Sequence, residues 1–122
     1  MSADDVLADP RVHPDSFVVY PTDYDLIPFS DKDSWALTVT NGHAYGWSIR
    51  PGIGMSGPIA LNRKGERVIE SRGSGHNKAR RWPLDDALRI ALSIVDSHKA
   101  MGMSAAEAVA KRDQIIAARE RA

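Results

Sequence analysis

The residues best suited to holding an anion are gathered in one stretch, Ser71–Trp82 (SRGSGHNKARRW). Arg72, Lys78, Arg80 and Arg81 supply cations, and Gly73 and Gly75 free the backbone amides. His76 adds a ring that titrates near neutral pH, and Trp82 a stacking surface. Together with Arg63, Lys64 and Arg67 just upstream, they form a candidate grip for a phosphate or a nucleic-acid backbone. Pro83 then opens a helix whose first amides would assist, although Asp85 and Asp86 oppose an anion there. The competing reading is a solvated loop whose Trp82 packs on the following helix as a hydrophobic staple.

Other motifs carry less chemistry. Gly52-Ile53-Gly54-Met55-Ser56-Gly57 matches G-x-G-x-x-G, but a dinucleotide site needs a helix at the glycines, and Pro58 and a strand follow instead. Kinase-type use of the same glycines fails on chain length and on the missing HRD and DFG sequences. Asp23 and Asp25, near Tyr20 and Tyr24 and with His13 and Asp15 upstream, are candidates for acid–base work or a hard cation, yet their spacing fits no known loop. His13, His43, His76 and His98 fall in four separate segments without an H-x-x-x-H pair, so no zinc site is expected. Ser74 sits in G-S-G, not in a nucleophile elbow. His98–Ser104 followed by Lys111 and Arg112 outlines a helix-turn-helix, but the second helix lacks base-reading side chains and an ordinary αα-hairpin is favoured. No catalytic residue, metal or cofactor is indicated.

The charges are sorted along the chain although the total is neutral, 16 Lys+Arg against 16 Asp+Glu. Residues 1–35 hold eight acids and two bases, −6; residues 50–81 hold eight bases and two acids, +6. Such asymmetry bears on partners and association, not on fold. At 122 residues, 43% hydrophobic and 26% charged, the composition suits one folded, soluble domain. The absence of Cys excludes disulfides and thiolate chemistry and suits a reducing cytoplasm. The acidic start is not a secretory signal, and no window reaches the roughly 20 apolar residues of a membrane helix. Eleven Arg against five Lys, with sixteen Ala, suggest a GC-rich genome.

These residues need elements to position them. Pro10, Pro14, Pro21 and Pro28 make residues 1–33 an acidic arm with short strands and a helical turn at Ala3–Ala8. Residues 34–122 then form one α+β domain. Alternation over Ser34–Thr40 and His43–Arg50 predicts a hairpin about Asn41-Gly42. A three-residue loop, Thr40-Asn41-Gly42, pairs Val39 with His43, Leu37 with Tyr45 and Trp35 with Trp47, gathering the large residues on one face. Ile59–Asn62 and Glu66–Ser71 predict a second hairpin around Arg63-Lys64-Gly65. Leu84, Ala87, Leu88, Ala91, Leu92 and Val95 predict an amphipathic helix over Leu84–Lys99, laid across an antiparallel sheet of about four strands. Ser104 and Glu107 form a capping box opening a last, Ala-rich helix to about Arg121 that packs weakly or waits for a partner.

Two function classes lead. One is a non-catalytic protein-binding module, an inhibitor, immunity factor or regulator steered by charge and anchored by Tyr45, Trp47 and Trp82. The other is a nucleic-acid binder using the basic hairpin and loop 63–82, which the acidic arm opposes. A concealed enzyme pocket would need Asp23, Asp25, His43 and His76 to converge. In layout alone (hairpin, basic loop, covering helix) the chain resembles small immunity proteins and phage accessory proteins of actinobacteria, and that likeness implies no residue's role.

Overall fold

Leu37, Val39 and Ile49 are fully buried on neighbouring strands at the centre of the protein. The computed structural model describes residues 3–53, 58–70 and 80–121. In chain order the elements are α1 (Ala3–Ala8), β1 (Ser16–Val19), β2 (Leu37–Asn41), β3 (Trp47–Pro51), β4 (Ile59–Leu61), β5 (Arg67–Ile69), α2 (Leu84–Ile94) and α3 (Ala105–Glu120). β1, β2 and β3 form an antiparallel sheet with β2 in the middle, and β4 pairs with β5 alone. The class is α+β. The strands divide into two sheets, and the extra strand, β1, comes from the acidic arm, with Val19 opposite Leu37.

The first hairpin departs from its expected register. Val39 pairs with Ile49, Leu37 with Pro51 and Asn41 with Trp47, across a five-residue loop, Gly42–Gly46. Asn41 Oδ1 accepts from the His43 amide at 2.8 Å, and His43 and Gly46 both take positive φ, 57° and 94°. Trp35 never joins the strand. It ends a 3-10 turn, Lys32–Trp35, where it stacks on Phe29 with centroids 5.8 Å apart. Its Nε1 donates to the Met103 carbonyl at 2.9 Å. The strongest aromatic anchor of the proposed hairpin face was claimed by a second core, and the register followed the aliphatic residues left behind.

The main core unites Val19, Leu37, Val39, Ile49 and Leu61 with Trp82, Ala87, Ala91, Ile94 and Val95 of the α2 segment. Small alanines let α2 approach the sheet closely, while Leu84, Leu88 and Ile90 flank the contact. Leu92, placed on the buried stripe by its spacing, is instead 64% exposed. The helix also ends at Ile94, short of Lys99. His98 turns inward to bond the Ser34 carbonyl, and a helical continuation would carry it away. Trp82 adds one backbone rung beside β3, its amide and carbonyl bonding Trp47 at 3.0 and 2.8 Å.

The capping box forms as expected: the Glu107 amide donates to Ser104 Oγ at 3.3 Å, and the Ser104 amide to Glu107 Oε1 at 3.2 Å. Ala105 and Ala108 then pack with Ile27, Trp35 and Ala100 in the second core. No described residue of α3 beyond Ala108 is buried. None of the described helices is long and apolar enough to cross a membrane.

Candidate functional site

The second hairpin forms as expected, and its turn is organised by Asn62. Its Oδ1 accepts from the Lys64 and Glu66 amides at 2.9 and 3.0 Å, and its carbonyl accepts from the Gly65 amide at 3.0 Å. This turn displays Arg63, Lys64 and Arg67 to solvent, with none of the three in an ion pair among the described residues. Arg67 Nη2 donates to the Lys99 carbonyl at 2.9 Å, tying β5 to the segment after α2.

Arg80 and Arg81 behave differently. Glu70, at the end of β5, is 7% exposed and is the centre of a three-arginine cluster. Arg81 grips its carboxylate with both terminal nitrogens, at 2.8 and 3.1 Å, while Arg80 Nε donates at 3.0 Å and Arg50 Nη2 at 3.3 Å. Arg50 also donates to Ser48 Oγ at 3.2 Å and to the Ile59 carbonyl at 3.0 Å, linking the two sheets. Burial pushes the Glu70 carboxyl up, but hydrogen bonds from Arg81 and Arg80 and the charges of Arg81 and Arg50 outweigh it, leaving the group below its ordinary 4.5. Burial likewise lowers Arg50, with Arg81 and Arg80 repelling it and Glu70 partly restoring it. The ion pairs are charge-assisted and largely shielded from water, so removing the one acid strands three guanidinium groups.

Two residues of the expected grip, Arg80 and Arg81, are thus engaged within the protein. Trp82 is 5% exposed and belongs to the core, so it offers no stacking face to a partner. Trp47 is half-buried against Phe17, whereas Tyr45 stands exposed on the loop before β3. Arg72, His76, Lys78, Gly73, Gly75 and Ser74 lie outside the described residues, as do Gly54–Gly57 of the glycine motif.

Two of the arm's acids, Asp9 and Asp33, have local partners. Asp33 accepts from the Tyr24 hydroxyl and raises that phenol to about 12; Lys32 Nζ lies 4.4 Å above the same ring, and Tyr20 packs beside it at 4.3 Å. No hydrogen bond or ion pair joins the side chains of Asp23, Asp25 and His43. The arm is fastened elsewhere. Asp96, just after α2, accepts from the Thr22 amide and hydroxyl at 2.7 and 3.0 Å, and Arg112 Nη1 donates to the Leu26 carbonyl at 3.0 Å.

This docking of the arm on α3 creates a groove that residue spacing did not reveal. Pro28 and Phe29 face Ile115 and Ile116, with Lys111, Arg112 and Arg119 along the rim, around a volume of about 400 Å³. Ile115 and Ile116 remain 46% and 44% exposed. The sequence signal was adjacent isoleucines in an otherwise Ala-rich, charged helix, but their neighbour Phe29 lies some eighty residues earlier. No protein-family model matches this chain, and no curated protein or solved structure matches it either.

Proposed function

We propose that the chain is a non-catalytic protein-binding module, an inhibitor, immunity factor or accessory regulator of phage or bacterial origin that works by occluding its partner. The observation that carries this reading is the groove where Phe29, Ile115 and Ile116 meet Lys111, Arg112 and Arg119, with Arg112 ion-paired to Asp113 at 2.8 Å. Its chemistry suits an acidic, amphipathic segment of a partner protein, with the isoleucines as anchors and the rim charges steering encounter. A cytoplasmic setting belongs to the same proposal and rests on the cysteine-free composition. The test is a photo-crosslinker placed at Lys111, with the captured protein identified and its affinity measured. The double variant Ile115→Ser/Ile116→Ser should keep its circular dichroism and weaken binding at least about tenfold. Unchanged affinity would sink the groove as the binding face.

A nucleic-acid reading retains a supporting observation, the exposed Arg63, Lys64 and Arg67 on the second hairpin, which form no ion pair among the described residues. Anisotropy of a labelled duplex and single strand at about 50 and 200 mM salt separates the two: binding that collapses with salt favours nucleic acid.

A further inference from the structure

The turn of the second hairpin presses on the end of α2. Gly65 permits this: its φ is +81°, and a Cβ there would lie 3.3 Å from Ile94 Cβ. Beside this contact opens a cleft of about 300 Å³, lined by Lys64, Gly65, Arg67, Ile94, Ser97, His98 and Lys99. Three elements thus bring three permanent cations to one concavity with no carboxylate in its lining. Arg67 is held in place by the Lys99 carbonyl, and the backbone of Lys64 by Asn62.

The negative pole of α2 accounts for only part of this charge. A helix end carries about half an elementary charge, against three full positive charges here. Lys64, Arg67 and Lys99 form no ion pair among the described residues. His98 in the cleft lining is 6% exposed and donates Nε2–H to the Ser34 carbonyl at 3.3 Å, so it fixes the wall of the cleft and adds no donor to it. Three cations converging on one concavity without counter-charge among the described residues make a receptor for an oxyanion.

We propose that this cleft binds a phosphate monoester. The volume stands at the lower end of small-molecule sites, roughly 300 to 1,000 Å³, and leaves room for a small organic group on the phosphate. Lys64 and Lys99 act as point charges, and Arg67 offers the planar fork that fits two phosphate oxygens. The site is independent of the α3 groove and of the reading attached to it.

The test is an amide-resolved NMR titration of the full chain with inorganic phosphate, then with glycerol 3-phosphate, at constant ionic strength against chloride. Saturable shifts are expected at Gly65, Ser97, His98 and Lys99, with Kd about 1 mM or tighter. Lys64→Ala and Lys99→Ala, both at exposed positions, should each weaken binding at least about fivefold while leaving the fold intact. Equal shifts with chloride, or equal affinity in both variants, would overturn the proposal. So would an oligonucleotide that moves these signals when neither phosphate probe does, since that assigns the cleft to a diester backbone.

Discussion

Arg50, Arg80 and Arg81 surround a carboxylate, whereas Lys64, Arg67 and Lys99 surround a cleft. Both regions are rich in bases, and by composition they are one surface. Their difference is a single residue: Glu70 converts the first group into a buried framework that joins the two sheets, and among the described residues no acid does so for the second. Cation number therefore says little about availability. What matters is whether an acid has been placed among the cations and shielded from water.

The sharpest way to break the contrast is Glu70→Gln. It leaves three guanidinium groups without their counter-charge, so urea unfolding should show a loss of about 3–5 kcal/mol. Arg81→Ala removes the bidentate partner and should cost somewhat less, about 2–4 kcal/mol, since Arg80 and Arg50 remain on the carboxylate.

Acid should next expose both regions, in different windows. Glu70 has its folded pKa below 4.5, so its stabilising contribution is complete above that value and is lost as pH falls through the folded pKa. Glu70→Gln should flatten the stability curve below pH 4.5. His98 is held below 6.5 by burial and then by the charge of Arg67, against a smaller upward pull from the Ser34 carbonyl. The unfolded chain binds that proton first, so stability falls as pH drops below 6.5, and His98→Gln should remove this slope. At the small end, Lys64→Ala and Lys99→Ala should change stability by no more than about 0.5 kcal/mol. A large loss from either would mean that the cleft's cations are structural after all.

Local patterns were the legible part of the fold. The capping box of α3 and the second hairpin with its Gly65 turn rest on contacts within a few residues, and both formed, whereas the α2 stripe formed only in part, with Leu92 exposed and the helix ending at Ile94. The register of the first hairpin was not legible, because Trp35 is drawn away by Met103, sixty-eight positions later, and by Phe29. Trp82 was legible as packing on the helix that follows it, but its backbone pairing with Trp47 of β3 was not, because that partner lies far back in the chain. Of the expected binding residues, Arg63, Lys64 and Arg67 face solvent, while Arg80 and Arg81 are engaged by an acid that spacing gave no reason to single out. Lys99 and His98 reach the cleft only because α2 stops early.

The clamp of Arg80 and Arg81 on Glu70 also fixes where the chain leaves and returns. Whatever joins residues 70 and 80, its two ends are stapled within an ion pair of 3.0 Å. The same ion pairs act as a cross-link without a covalent bond: they hold the residue after β5 against the chain entering α2, and so tie the second sheet to the helix that covers the first.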